Sequence, residues 1–593
     1  MLVRIGLILV SLVLIEASNS EKNVKQQINP CCSNPCQNGG ICMTKGFADY
    51  TCDCGALPYY GKHCETPTWA RWLASKIRPS PDVMHRITTS YEPLWRLVNG
   101  WTWLHDGFMR FVLIDRFGKV DLPAPFSADK AYTTVDTYFN QSTFTRALPP
   151  VPVNCPTPMG TKGKAVLPDP DEIARELFTR KKFIPDSINT NVFFGFFAQH
   201  FTHMFFKTDA SKGPAYTWGR HGVDVSNIYG PNLETEKLLR SSVGGKLKMQ
   251  EIKGEMWPMF TKDIPGIKMT KWPGLESKLD FALGHSFFSI LPGMTLISTI
   301  WMREHNRVAG ILEQEHPEWD DEQIFQTAKL IILGETIKIV IEDYVQHLSS
   351  YKFKLTYDPA LLHGEPLQYQ NRIFVEFNHL YRWHPLTPDT FKITNTEYTI
   401  QELISDGTEL LLKYGLASFL KSLIAQPAGQ IGPRNHGVYT LGVVKSVLHE
   451  GRELRLQSFN EYRKKYLLKP YESFQELTGD SELAAKLERM YGDIDAVEYF
   501  TGIMLEKQRP SALFGGTAVE MGGPYSLQGL YANPIGSPKY WRPSTFGGDV
   551  GFDIVKTASL EKLFCANIKK GDCPKMSFAV QKDDAASSVK EEL

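Results

Sequence analysis

Neither charge predominates in this 593-residue chain, where 65 lysines and arginines balance 65 acidic residues. It therefore lacks the basic excess with which a protein meets nucleic-acid phosphates, and no nucleic-acid partner is expected. Paired Cys-x-x-Cys knuckles are also missing, which argues against a zinc site. Internal repeats are absent. Cysteine is scarce in the body of the chain: seven of ten lie between Cys31 and Cys64, and only Cys155, Cys565 and Cys573 lie beyond. Long apolar runs are few. Ile5–Ile15 is too short and wrongly flanked to span a membrane. Phe281–Met302 carries no formal charge for 22 residues but is broken by Gly284, His285, Pro292 and Gly293, so a buried helix is expected there. Disorder throughout is excluded by a chain 42% hydrophobic and only 22% charged.

What is present reads first as an address. Arg4, the apolar run and the small residues Ala17 and Ser18 make residues 1–18 a secretory signal. Lys590-Glu591-Glu592-Leu593 differs at one position from a retention signal. Together they point to the lumen of the endoplasmic reticulum. The clustered cysteines suit that oxidising compartment. Cys31, Cys36, Cys42, Cys52, Cys54 and Cys64, with Asn38-Gly39-Gly40 and Tyr60-Gly61 between them, resemble an epidermal-growth-factor module over 28–65. Six cysteines make three internal bridges. Cys32 then needs an outside partner, and Cys32–Cys155 and Cys565–Cys573 are predicted. Asn140-Gln141-Ser142 is a glycosylation sequon.

Residues 66–116 hold Trp69, Trp72, Trp95, Trp101 and Trp103 among arginines and lysines, divided by Pro79, Pro81 and Pro93. Proline forbids one long helix. Several short amphipathic helices lying in a membrane leaflet are expected, against the alternative of a hairpin packed on the core. Residues 117–580 read as one large helical domain, exemplified by the periodicity of Thr327–Leu348, and 581–593 as a flexible tail. The fold class is mainly α.

Two segments carry candidate chemistry. Gln199 and His203 are four apart, hence on one helix face, where an imidazole and an amide can move a proton between peroxide oxygens. In Tyr381-Arg382-Trp383-His384-Pro385, Pro385 makes His384 a helix terminus with a ring free to ligate a metal, and Tyr381 lies three residues earlier. Read alone, each histidine is more often structural.

Together with Arg303-Glu304-His305-Asn306-Arg307 and Gly522-Gly523-Pro524-Tyr525-Ser526-Leu527-Gln528-Gly529-Leu530, these segments occur in the order found in the prostaglandin G/H synthases, or cyclooxygenases. The resemblance runs from the cysteine module to about residue 580. It implies one haem b per subunit with His384 as proximal iron ligand, His203 as distal acid–base and Gln199 as its companion. Tyr381 would form the radical that abstracts hydrogen from arachidonate or a related fatty acid. O2 and a reducing co-substrate complete the reaction, and a homodimer is implied. Arg116 matches the carboxylate-binding arginine, with Tyr351 and Glu520 beside it. Val345, Leu348, Ser349, Leu380, Trp383, Val519, Ser526 and Leu530 would line the fatty-acid channel. Ser526 has a steric role, not that of a triad nucleophile. Arg382 stands where the vertebrate pattern has histidine, Gly523 where it has alanine and Tyr525 where it has phenylalanine. Val519, smaller than isoleucine, suggests a side pocket. The competing readings are a secreted haem peroxidase without oxygenase activity and a non-enzymatic adhesion protein.

Overall fold

The computed structural model describes residues 28–581, apart from 47, 56, 57, 135 and 140. The signal, the glycosylation site Asn140 and the terminal Lys590–Leu593 lie outside the described residues. The molecule is mainly helical, with five two-stranded antiparallel sheets among the described residues.

At the N-terminal end, β1 (Ile41–Lys45) pairs with β2 (Asp49–Asp53), and β3 (Tyr59–Tyr60) with β4 (Thr66–Pro67). Such short strands bury too little apolar surface to hold themselves, so covalent staples do it. The bonds are Cys31–Cys42, Cys36–Cys52 and Cys54–Cys64, while Cys32–Cys155 fastens the module to the body and Cys565–Cys573 closes a late loop. At the junction Gly160 has φ +91, and a Cβ there would collide with the Cys32 carbonyl. Only glycine meets both demands.

Four short helices follow: α1 (Trp69–Ile77), α2 (Pro81–Ser90), α3 (Glu92–Gly100) and α4 (Thr102–Phe117). Pro81 and Pro93 fall at the starts of α2 and α3, where the missing N–H costs nothing, and Pro79 lies in the link before α2. Trp95 is the exception among the tryptophans. It is buried against Phe108 and Phe353, and its Nε1 donates to the Ile87 carbonyl at 2.7 Å. Trp69, Trp72, Ile77, Leu94, Leu97, Trp101, Trp103, Phe111 and Ile114 are exposed.

The body surrounds one continuous apolar core. Its α5 (Val192–Thr202) is apolar on every side and correspondingly buried. Asn191 caps it, accepting from the Phe194 N–H and donating to the Ser577 and Ala579 carbonyls. The apolar stretch expected to be helical from Phe281 begins its helix only at Pro292: α6 runs Pro292–Glu315, and residues 281–291 are loop and one tight turn. Pro292 suits the first helical position, whereas Gly284 sits so close to the Ile228 backbone that a Cβ would not fit. The second expected helix is α7 (Asp321–Ile339), continued by a wide π-helical turn over Val340–Val345 and a last turn over Gln346–Ser349. The short α8 (Val375–Leu380) stops before Tyr381, so His384 is not a helix terminus as expected. It opens a separate tight turn, His384–Leu386. The α9 helix (Gly516–Tyr531) contains Pro524 and packs on α4 and α8. Among the described residues no helix is long and apolar enough to cross a membrane.

Candidate active site

α5 and the Tyr381–His384 segment face one another across a cavity of about 370 Å³. Gln199, His203, Tyr381, Arg382, Trp383 and His384 all border it. His203 caps the end of α5, and its Nδ1 lies 2.7 Å from the Gln199 carbonyl. A carbonyl only accepts, so Nδ1 carries the proton and the lone pair sits on Nε2. Phe287 lies flat against the ring at 5.2 Å and holds its orientation. Burial pushes His203 down to about 4, so the ring is a neutral base at pH 7.

His384 is pushed down to about 4 by the same cause, and its Nδ1 is buried without a hydrogen-bond partner. A neutral imidazole bordering a cavity fits a metal ligand. Among the described residues no group of three or more His, Cys, Asp or Glu could hold a bare ion. One donor therefore suits a metal whose other ligands come with a macrocycle, which is the fit a haem requires. Beside it Arg382 and His379 share the Glu450 carboxylate at 3.3 and 3.4 Å.

A second cavity, about 80 Å³, is nearly all apolar. Val345, Leu348, Leu380, Trp383 and Val519 border it, with Arg116, Tyr351, His85 and the hydroxyls of Ser349 and Ser526 supplying polarity. A small extension of about 20 Å³ continues past Val345 and Ser526 to Leu530, Tyr344 and Tyr525. Tyr381 borders all three spaces. Its ring is stacked on Trp383 at 4.1 Å and crossed by Phe377 and Phe206. Burial raises its phenol, which keeps its proton, and its polar neighbours are Ser526 and Tyr344.

Glu520, expected beside Arg116, is there: it lies outside the cavity wall, and Arg116 Nη1 donates to it at 2.7 Å. Sequence reasoning missed Lys119 and Arg509, which bind the same carboxylate, and also Tyr344, Phe206 and Phe514. Lys119 falls three residues after Arg116 and was findable as a same-face neighbour. Arg509 gave no signal.

The family model for animal haem peroxidases matches residues 220–523, and that for EGF-like domains matches 31–63. The chain is 51% identical over 563 residues to prostaglandin G/H synthase 2 of Bos taurus, covering 95% of this chain and 92% of that one. It is 49% identical to prostaglandin G/H synthase 1 of Rattus norvegicus, covering 95% and 93%. Among solved structures, a fatty acid alpha-dioxygenase of Oryza sativa superposes with a TM-score of 0.62 at 18% identity, covering 87% of this chain and 99% of that one. Peroxidase A of Dictyostelium discoideum gives 0.61 at 16%, covering 74% and 95%. These two likenesses speak for the fold alone.

Proposed function

The chain belongs to the prostaglandin G/H synthases, within the animal haem peroxidases, and from that premise we propose that it oxygenates arachidonate to prostaglandin G2 and reduces this to prostaglandin H2. One observation carries the reading: a single phenol, Tyr381, stands in the walls of both the His203–His384 cavity and the apolar one.

His384 would hold a haem by its iron, with His203 and Gln199 on the opposite wall. When bound, that group supplies the one-electron oxidant and the centre at which hydroperoxide is reduced. His203 Nε2 takes the hydroperoxide proton and returns it to the departing oxygen, work for which a neutral base is needed. Tyr381 gives up one electron and its phenolic proton. The resulting phenoxyl takes a hydrogen atom from the fatty acid in the apolar cavity, and two O2 add to the carbon radical. The final peroxyl recovers a hydrogen atom from Tyr381, which regenerates the phenoxyl. A reducing co-substrate supplies the two electrons for hydroperoxide reduction.

Arg116 receives the substrate carboxylate, and the apolar wall receives its chain. Ser526 and Tyr344 orient the phenol. The exposed aromatic faces of α1–α4, with Arg71, Lys76, Arg86 and Arg96 among them, suit insertion into one membrane leaflet. From the family we infer a monotopic protein of the endoplasmic reticulum membrane and a homodimer.

The test is oxygen uptake by haem-reconstituted protein given arachidonate, with Tyr381→Phe in parallel. Uptake lost in the variant while peroxide turnover persists is the expected result. No uptake by the parent, with peroxidase intact, would reduce the chain to a haem peroxidase.

A further inference from the structure

Glu520 is an unusually crowded carboxylate. Its side chain is 3% exposed, and Oε2 accepts from both Arg116 Nη1 and Lys119 Nζ at 2.7 Å. Oε1 accepts from Arg509 Nη1 at 3.3 Å, and Arg509 Nε donates to Asp82 at 2.8 Å. Asp115, the other nearby carboxylate, is engaged by Arg78 at 2.5 Å. With the Arg78–Asp115 pair set apart, Arg116, Lys119 and Arg509 face Glu520 and the largely exposed Asp82, which leaves one positive charge uncompensated among side chains that are themselves mostly buried. Isolated buried charge is costly, so the cluster as built fits one further anion. Only Arg116 among the three cations borders the apolar cavity.

Arg116 and Lys119 compete for the same Glu520 oxygen. A fatty carboxylate arriving in the cavity must share Arg116 with Glu520 while suffering that anion's repulsion. We propose that Lys119 is a positioning residue that neutralises Glu520 and so releases Arg116 to the substrate carboxylate, setting the preference for the acid over its neutral esters. This rests on the fatty-acid reading of the cavity. Lys119 is well placed to do so. Its side chain is 14% exposed, and the residue is held on the turn just past α4 by its N–H bond to the Arg116 carbonyl at 3.2 Å.

The experiment is equilibrium binding of arachidonate and of methyl arachidonate to the full-length haem-loaded enzyme under argon, so that no turnover is needed. In Lys119→Met the dissociation constant for the acid rises roughly tenfold, the scale of one charge-assisted contact. That for the ester stays at the parent value, and Lys119→Arg restores affinity for the acid. Unchanged acid affinity in Lys119→Met overturns the proposal. So does an equal loss for acid and ester, which would mark a merely structural lysine. A parent enzyme that binds the acid no better than the ester also overturns it. Binding with these preferences but no oxygen uptake would sink the oxygenase reading and leave Lys119's role standing.

Discussion

Replacing Glu520 by Gln removes one negative charge from among three cations and changes almost no volume. Taking away one partner of a buried ion pair costs about 3–5 kcal/mol, because the other charge is left behind. One feature places this case at the lower end: Arg509 keeps Asp82. The expected loss is about 3 kcal/mol. An unfolding entropy of about 2.1 cal/mol/K per residue over a body of about 460 residues is roughly 1 kcal/mol/K, so Tm falls by about 3 °C. Adding Lys119→Met removes a cation with its anion, and the double variant melts above Glu520→Gln alone, with a coupling of about 1 kcal/mol or more. Acid provides an independent axis. Burial works to raise the Glu520 carboxyl, but Arg116, Lys119 and Arg509 outweigh it and hold the group well below the usual carboxylate range. A depressed carboxyl stabilises fully above its unfolded pKa of about 4.3, and that stability drains away as pH falls through the lower folded value. The parent's Tm therefore drops more steeply below about pH 4.3 than that of Glu520→Gln. Calorimetry of the four proteins decides. A Glu520→Gln Tm within about 1 °C of the parent, or strictly additive variants, refutes the reasoning.

Two other perturbations follow from the cavities. Because burial depresses His203 to about 4, peroxide turnover after a rapid pH jump stays level down through the ordinary histidine value of about 6.5 and falls only near 4. An inflection at about 6.5 would mean the ring is solvated and not the base described. In Gly522→Ala the new Cβ meets Leu380 at an ordinary 3.5 Å, so helix propensity raises stability by about 0.5–1 kcal/mol while a methyl enters the apolar wall. Higher Tm with slower oxygen uptake is expected, and a lower Tm would show that α9 is strained there. Gly523 offers no such gain, since the following Pro524 disfavours a helical residue with a Cβ.

The site was legible through the order of its segments, not through any one of them: read alone, each histidine is more often structural, and only the resemblance gave Gln199, His203, Tyr381 and His384 their roles. Their spacing helped, since a four-residue helical step and a short run need only a helix and a turn to aim their side chains. The cysteines, too, are close in sequence except for Cys32 and Cys155. What escaped depends on distance along the chain. Arg509 meets Glu520 across a loop, and nothing in either segment advertises the pairing. Glu520 was expected beside Arg116 and lies there, on the side away from the cavity. Helix boundaries escaped for a different reason: apolar composition alone does not separate the buried loop of 281–291 from α6, since both are desolvated. At His384 the proline signal was real, but the helix had already ended at Leu380.

The wide turn at Val340–Val345 gives the chain's length, as distinct from its composition, a direct hold on the active site. A π turn is in effect one extra residue threaded into an α-helix. Here it allows a single rod to present Val340, Tyr344 and Val345 to the inner extension, and Val345, Leu348 and Ser349 to the main cavity. Loss of one codon in this stretch would leave a more regular helix and a comfortable fold. Every residue beyond it would nevertheless be rotated off its target. The number of residues through this turn thus sets which side chains form the wall, independently of what those side chains are.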